Sequence, residues 1–121
     1  MTAVDDVVMV IEDEPATRTF MAELLRLEGF KVIACENGAE ALQYLVQSLH
    51  LPCLIIMDMR MPVMDGPTFR AAMLADARLA EVPVVVVTAY EPAAAARLAA
   101  RRVFRKPVDV VALLATVKEF C

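Results

Sequence analysis

In the stretch Cys53-Leu-Ile-Ile-Met57-Asp58, five apolar residues are followed at once by an aspartate. Two other runs share this apolar character, Val7-Val-Met-Val-Ile11 and Val82-Pro-Val-Val-Val-Val87. A strand with one wet face would alternate apolar and polar residues, so unbroken apolar runs of this length indicate strands that are buried on both faces. The sequence therefore predicts three inner strands of a sheet that is covered on both sides.

Helical segments lie between and after these strands. They are the segment with Phe20, Leu24 and Leu27 in helical spacing, Ala41 to Leu49, the segment opened by Gly66-Pro67, the alanine-rich Pro92 to Arg102, and Val108 to Phe120 with Val111, Leu114 and Val117 aligned. Lys31 to Cys35 and Val103-Phe104 are predicted as two shorter strands. Five strands that alternate with five helices predict an α/β fold with a doubly wound parallel sheet.

The bulk composition limits the classes of protein to which the chain can belong. A length of 121 residues fits one domain, and no output domain follows Phe120-Cys121, so we expect residues 1–121 to form a single domain. The apolar runs are too short to cross a bilayer, and residues 1–6 lack the pattern of a secretory signal. A net charge of -4 argues against direct binding of nucleic acid. We therefore expect a cytoplasmic protein with no membrane insertion.

The three cysteines, Cys35, Cys53 and Cys121, are odd in number and lack the close spacing of a zinc or redox motif. We expect them to be ordinary reduced thiols.

Acidic residues follow two of the buried strands. Glu12-Asp13-Glu14 comes directly after the first run, and Asp58 comes directly after the third strand. Ligands of doubly wound sheets bind at the carboxyl ends of the inner strands. If the first and third strands are neighbours, these carboxylates converge, and a hard cation such as Mg²⁺ would offset their repulsion.

Thr88 and Lys106 add a hydroxyl and an ammonium group at the same edge, because they end the fourth strand and follow the fifth. A carboxylate can attack a phosphoryl donor and form an acyl phosphate when cations neutralise the transferring oxygens. This combination predicts a phosphoryl site with Asp58 as the nucleophile and with Thr88 and Lys106 contacting the new oxygens.

Five motifs of the chain resemble those of the receiver domains of bacterial two-component systems, the CheY-like family, and the resemblance extends over nearly the whole chain. They are Val10-Ile-Glu-Asp-Glu-Pro15, Ile56-Met-Asp-Met-Arg-Met-Pro62, Met64-Asp-Gly66, Val87-Thr-Ala89 and Phe104-Arg-Lys-Pro107. The resemblance implies a flavodoxin-like strand order 2-1-3-4-5. It also implies a phosphoacceptor that switches its binding to partners rather than a turnover enzyme, although one that assists its own phosphorylation and slow dephosphorylation.

The same resemblance implies a role for each site residue. Asp58 would accept the phosphoryl group, with Thr88 and Lys106 as the catalytic side chains; the Mg²⁺ ligands would be Asp13, Asp58, Glu12 through water, and the main-chain carbonyl of Arg60. Mn²⁺ could substitute for Mg²⁺. A cis peptide bond would precede Pro107. The phosphoryl donor would be a sensor histidine kinase or a histidine phosphotransfer protein, and a downstream protein target would read the switch.

The chain departs from the family in the region that usually transmits the signal. The interval from Thr88 to Lys106 is shorter by about four residues, which is roughly one helical turn, so we expect a shortened fourth-helix region. Arg101-Arg102 replaces the usual Gly-Ala, and Val103 stands where the family has its switch aromatic. Phe104 is either a shifted switch residue or a core phenylalanine.

Bulky and flexible side chains surround the expected site. Arg60 and Tyr90 either screen the acyl phosphate from water, which would slow autodephosphorylation, or are solvated without kinetic effect. Met57, Met59, Met61 and Met64 form either a flexible docking surface or loop packing, with Met57 in the core strand.

Three other functions compete with the phosphorylation switch. A phosphatase with an aspartyl nucleophile, like the haloacid dehalogenases, would have an acidic residue two positions after Asp58, where this chain has Arg60. A nucleotide or flavin binder would need a glycine-rich loop, but the chain has only three glycines. An interaction module that works without phosphorylation would not need a complete set of chemical residues.

Overall fold

The computed structural model describes residues 6–89 and 98–121. Within these residues, five strands form one sheet, namely β1 (Val7–Ile11), β2 (Lys31–Cys35), β3 (Leu54–Met57), β4 (Val84–Thr88) and β5 (Arg102–Arg105). All neighbouring strands are parallel, in the order β2-β1-β3-β4-β5. The predicted fold class and strand order are confirmed.

The described residues also contain five helices. They are α1 (Pro15–Leu27), α2 (Gly38–Gln47), α3 (Gly66–Leu74), the single turn α4 (Ala77–Ala80) and α5 (Val110–Phe120). Four of them match predicted helical segments, whereas α4 lies in a region for which no helix was predicted. An aspartate before α4 explains this turn, since the Asp76 side chain accepts hydrogen bonds from the main chain of Arg78 and Leu79.

The core consists of two apolar clusters. One is centred on buried residues such as Met9, Ile55 and Phe69, and the other on buried residues such as Val10 and Ile56. Alternate residues of β1 and β3 thus belong to different clusters, as expected when successive side chains point to opposite faces of a sheet. The unbroken apolar runs are explained because both faces of these strands are covered.

The buried faces of α1 and α5 differ in part from those that apolar spacing predicted. Leu27 is 86% exposed and Val111 is 78% exposed, whereas Met21, Leu25 and Leu113 are buried. In α2, the predicted helix to Leu49 ends earlier, at Gln47, and Leu49 is solvent-exposed. The buried face of α2 was predicted correctly, since Ala41 and Leu45 are buried. The rotation of α1 and α5 about their axes was not, because apolar residues occur on more than one face of these helices.

The ends of several elements also shift by one or two residues. The fourth strand begins at Val84 instead of Val82, because Pro83 has no N–H to donate to a neighbouring strand. The last helix begins at Val110 instead of Val108, since the Asp109 carboxylate accepts a hydrogen bond from the Ala112 N–H and caps the helix.

Most of the predicted fourth helix, Pro92 to Arg102, lies outside the described residues, and so does the predicted shortening of the fourth-helix region. The predicted end of this helix is wrong. Leu98 to Arg101 form a turn, with a positive φ of 54° at Ala99, and Arg102 already belongs to β5. The buried Arg70 of α3 stabilises this turn by donating hydrogen bonds to the carbonyl oxygens of Leu98 (2.7 Å) and Ala99 (3.3 Å).

The prediction of three reduced thiols is wrong for two of the cysteines. Cys53 and Cys121 form a disulfide, with Cα atoms 5.5 Å apart and a separation of 68 positions in sequence. Cys35 is a free, buried thiol. Sequence spacing could not show this pair, because the end of α5 reaches the start of β3 only in the folded chain.

Among the described residues, no helix has the length and apolar character needed to cross a membrane.

Candidate functional site

Two adjacent strands position the acidic residues. Ile11 of β1 is paired with Met57 of β3, so the residues that follow them leave the sheet side by side. The main-chain N–H of Asp58 donates a hydrogen bond to the carbonyl oxygen of Ile11 (3.1 Å). Glu12, Asp13 and Asp58 each offer a carboxylate oxygen within 4.8 Å of the others. The predicted convergence of these three carboxylates is confirmed.

Lys106, which follows the edge strand β5, also contacts this cluster. Its Nζ donates to Glu12 Oε1 (2.7 Å) and to Asp58 Oδ2 (2.8 Å). The Glu12 side chain is 3% exposed and that of Asp58 is 10% exposed, whereas that of Lys106 is 27% exposed. Ion pairs in such an environment are screened little by salt, so the lysine offsets much of the repulsion between the two carboxylates.

The environment changes the acidity of two of these groups. Burial raises the pKa of Glu12, although its hydrogen bond from Lys106 opposes this change. Burial by itself would lower the pKa of Lys106, but the hydrogen bonds and charges of Asp58 and Glu12 outweigh burial and raise it. Lys106 is therefore a cation throughout the neutral range, as a group that pairs with phosphoryl oxygens must be.

Glu14 caps α1 and does not belong to the carboxylate cluster. Its carboxylate accepts hydrogen bonds from the main-chain N–H groups of Ala16 (3.2 Å) and Thr17 (2.7 Å), and it therefore caps the helix. These hydrogen bonds lower the pKa of Glu14. The acidic run thus divides into two site residues and one helix cap.

Arg18 holds the loop that carries Glu12 and Asp13, and its role was not predicted. Its guanidinium donates to the carbonyl oxygen of Glu12 (2.8 Å) and lies 3.4 Å from that of Asp13. It also forms an ion pair with Glu36 (3.8 Å). In the sequence, only the position of Arg18 one turn into α1 pointed to this role. Many surface arginines occupy such a position, so it was not enough for a prediction.

Gly66 allows close contact between α3 and the loop after β3. Its N–H donates to the carbonyl oxygen of Met59 (2.8 Å). A Cβ at this position would lie 2.9 Å from the carbonyl oxygen of Asp58 and 2.9 Å from Cα of Met59. Glycine is needed here because both obstacles are main-chain atoms.

Three further residues were predicted to belong to the site, and the structure describes two of them. Thr88 is fully buried at the carboxyl end of β4, and its carbonyl oxygen accepts a hydrogen bond from the Lys106 N–H (2.8 Å). The Arg60 N–H lies 3.4 Å from Asp58 Oδ1. The predicted role of the Arg60 carbonyl as a metal ligand stays a prediction. Tyr90 lies outside the described residues.

The two predicted switch positions are both half-buried in β5. Val103 pairs with Val86 and packs on the cluster around Phe69, whereas Phe104 pairs with Val87 and packs on the opposite cluster. This supports the interpretation of Phe104 as a core residue. A role of either residue in switching stays a prediction.

The two arginines in place of the family's Gly-Ala anchor β5 to α5. Arg102 pairs with Glu119 (2.8 Å), and the Arg101 guanidinium lies 6.0 Å from the ring centre of Phe120.

The methionines pack against the protein. Met57 and Met61 are buried, and the half-buried Met59 and Met64 contact the core cluster around Phe69. This favours loop packing over a flexible docking surface. A cis peptide bond precedes Pro107, as predicted.

Comparison with known proteins identifies the family. The family model of the response regulator receiver domain matches residues 8–118. The chain belongs to this family. It is therefore a receiver domain of the kind found in response regulators, the proteins that accept phosphoryl groups in two-component signalling.

Individual relatives of this receiver domain are regulatory proteins. The transcriptional regulatory protein PdtaR of Mycobacterium tuberculosis is 40% identical over 84 residues, which are 69% of this chain but only 38% of PdtaR. The chain thus spans well under half of that relative. The polar-differentiation response regulator DivK of Brucella anthropi is 27% identical over 93% of this chain and 94% of DivK.

A solved structure agrees with the fold. The response regulator TrrA of Thermotoga maritima, in complex with Mg²⁺ and BeF, has a TM-score of 0.83 and 25% identity, and the match covers 96% of this chain and 99% of TrrA.

Proposed function

We propose that this receiver domain accepts a phosphoryl group on Asp58. The observation that carries the proposal is the contact of the Asp58 carboxylate with the Lys106 ammonium (2.8 Å), in a cluster that also contains Glu12 and Asp13. One Asp58 oxygen would attack the phosphorus of the donor, and the bond between phosphorus and its leaving group would break. The product is an acyl phosphate on Asp58.

The cluster has the donor chemistry of a magnesium site. It offers three carboxylates with oxygens within 4.8 Å of one another, and hard cations such as Mg²⁺ prefer oxygen ligands. Asp13 and Asp58 would hold the ion directly, Glu12 through water, and the Arg60 carbonyl would complete the protein ligands; Mn²⁺ would substitute. The bound cation would neutralise charge on the transferring phosphoryl oxygens. TrrA, which shares this fold, was solved in complex with Mg²⁺ and BeF.

The protein's own groups would then hold the product. Lys106, which already contacts Asp58, would pair with one phosphoryl oxygen. The Thr88 hydroxyl, on the last residue of β4, would contact another. Because the added phosphoryl group contributes up to two negative charges, these contacts would draw the ends of β4 and β5 toward Asp58 and change the adjoining surface.

The phosphoryl donor and the target follow from the family. Receiver domains work with histidine kinases or histidine phosphotransfer proteins. We infer that one of these donates to Asp58 in the cytoplasm, and that a downstream protein reads the altered surface. The receiver domain would act by itself, as a relay intermediate, or as part of a hybrid kinase or transcription factor.

Dephosphorylation is expected to be slow. Arg60 follows Asp58 by two residues, and its main-chain N–H lies 3.4 Å from the Asp58 carboxylate. We propose that its bulky side chain limits the approach of water to the acyl phosphate. A double substitution of Arg60→Ala and Tyr90→Ala would then shorten the half-life of the acyl phosphate. An unchanged half-life would remove this part of the proposal.

Intact-mass measurement after incubation with Mg²⁺ and acetyl phosphate tests the central claim. The wild type should gain the mass of one phosphoryl group, and Asp58→Asn should gain none. Asp65→Asn is the matched control, since Asp65 is an exposed aspartate in the same loop that only caps α3. It should be phosphorylated like the wild type.

Two results would contradict the proposal. A wild-type protein that gains no mass would exclude phosphorylation, and a gain that persists in Asp58→Asn would place it elsewhere. Continuous release of phosphate over many turnovers would instead indicate the phosphatase.

A further inference from the structure

Two cysteines meet at the edge of the sheet opposite the phosphoryl site. Cys53 directly precedes β3, and its N–H donates a hydrogen bond to the carbonyl oxygen of Val7 (2.9 Å). Cys121 directly follows α5, and its N–H donates to the carbonyl oxygen of Val117 (2.9 Å). Because both main chains are held by hydrogen bonds, the fold itself brings the two sulfur atoms together.

The two cysteines of the pair differ from the third in reactivity. Both are half-buried, so small reagents can reach them. Cys35, in contrast, is 2% exposed, and burial raises its pKa to about 12. Thiolates are the reactive species, so Cys35 is expected to be inert at neutral pH. The reactive thiol chemistry of this chain is therefore concentrated at Cys53 and Cys121.

The same site can also accommodate the reduced form. Sγ of Cys53 lies 3.3 Å from the carbonyl oxygen of Val7, which could accept a hydrogen bond from a thiol at this position. An ion pair between Lys118 and Glu28 (3.7 Å) and the packing of Val117 still hold this end of α5 without the covalent bond. Reduction would therefore loosen the end of α5 without unfolding the domain.

We propose that Cys53 and Cys121 form a reversible dithiol–disulfide site that fixes the far end of α5 to the start of β3. The near end of α5 begins at its cap Asp109, three residues after Lys106. The helix thus extends from the phosphoryl site to the cysteine pair. In a reducing compartment the pair would rest as two thiols and close under oxidising conditions, as redox-sensing disulfides do.

The oxidant belongs to the class of low-molecular-weight disulfides. One protein thiolate attacks a sulfur of the small disulfide and releases a small thiol. The second protein thiolate attacks the resulting mixed disulfide, forms the Cys53–Cys121 bond and releases the second small thiol. Two S–H bonds of the protein are lost, and two electrons and two protons pass to the small molecule. A reducing dithiol reverses the step.

The test uses the full chain in buffers of oxidised and reduced glutathione, without any phosphodonor, so that its result is independent of the proposed phosphorylation. In the oxidised buffer, the wild type and Cys35→Ser should each be lighter by two hydrogen atoms than the same protein in the reduced buffer. Peptide mapping should join the peptides that contain Cys53 and Cys121. Cys53→Ser and Cys121→Ser should instead gain bound glutathione.

Thermal unfolding of the wild type in its two redox states is the second measurement and needs no variant. The oxidised form should melt about 10 °C higher, since the bond closes a long loop. In hydrogen exchange, the amides at the end of α5 should exchange more slowly in the oxidised form, while those of α2 should not change.

Three outcomes would overturn the proposal. The first is a wild type that takes up glutathione at both cysteines without forming the internal bond. The second is a bond that includes Cys35. The third is a Cys53–Cys121 bond that dithiothreitol fails to reduce in the folded protein, because the bond would then be a permanent staple and not a reversible site.

Discussion

The strands β3 and β5 both end at the proposed phosphoryl site, but the protein holds them in different ways. Every residue of β3 is buried between neighbours on both sides. β5 is an edge strand whose first and last residues are exposed and whose two middle residues are half-buried. Asp58 therefore follows a strand held by the core, and Lys106 follows the strand at the edge of the sheet that the described residues form.

This difference indicates which half of the site can move. Displacing Asp58 would disturb two apolar clusters, since close-packed cores resist small shifts. Displacing Lys106 would disturb the pairing of β5 with β4 and the contacts of β5 with α5. The acidic half of the proposed site is therefore held more firmly than the half that carries Lys106.

The largest expected effect compares the two strands directly. Ile56→Ala in β3 should reduce the free energy of unfolding by about 3 to 4 kcal/mol, because the methyl groups removed are fully buried. Val103→Ala in β5 should cost about 1 kcal/mol, because its side chain is half-buried. Urea denaturation measures both. Equal losses of unfolding free energy per carbon removed would show that β3 and β5 are held equally firmly.

The next effect concerns the loop that follows β3. In Gly66→Ala, the new Cβ would meet main-chain atoms of Asp58 and Met59 at 2.9 Å. We expect a loss of about 2 kcal/mol of stability and slower phosphorylation by acetyl phosphate.

Gly29→Ala is the control for this substitution. Gly29 has a φ of 95°, but a Cβ added to it would have no other atom within 4 Å, so only backbone strain of about 1 kcal/mol should result. Its phosphorylation rate should equal that of the wild type. A normal rate in Gly66→Ala would show that the Asp58 loop is less rigid than we infer.

A smaller effect is expected from Arg18→Lys. Lysine keeps the positive charge but has a single nitrogen, whereas Arg18 places Nη1 against the carbonyl oxygens of Glu12 and Asp13 and Nη2 against Glu36. Affinity for Mg²⁺, measured by calorimetric titration, should fall about fivefold, since groups that orient ligands affect metal binding. Arg26→Lys, at the exposed end of α1, should leave it unchanged. Equal affinities in all three proteins would refute the role of Arg18.

A still smaller effect is expected at the outer side of β5. The ion pair between Arg102 and Glu119 is about half exposed on both side chains. A double-mutant cycle with alanine at both positions should give a coupling of about 0.5 kcal/mol that decreases with added salt. A coupling several times larger would mean that β5 is anchored more firmly than its exposure suggests.

The smallest effect is the pH dependence at Asp65. The hydrogen bond from the Thr68 N–H lowers the pKa of Asp65 below its value in the unfolded chain. Its contribution to stability is therefore present above the unfolded pKa and is lost as the pH falls through the pKa of the folded state. Asp65→Asn should keep the cap and reduce the loss of thermal stability between about pH 5 and about pH 2. An identical loss in both proteins would exclude this carboxylate as a source.

Much of the site could be predicted because its residues stand at strand ends. Asp58 and Lys106 directly follow strands, and parallel strands place such residues at one edge whatever the details of packing. The role of Arg18 and the buried faces of α1 and α5 could not be predicted in this way. They depend on the rotation of each helix against the sheet, and apolar spacing left more than one rotation open.

The apolar runs of the sequence by themselves indicated the parallel sheet and the edge at which Glu12, Asp13, Asp58 and Lys106 emerge, whereas the strand order was implied by the resemblance to receiver domains and is confirmed by the structure. The physical reason is that solidly apolar runs have to be buried on both faces, which fixes the edge at which the following polar residues emerge. Only the tertiary structure decided the pairing of Cys53 with Cys121. Sequence spacing carries no record of where the end of a helix comes to lie, since that depends on how α5 packs across the sheet.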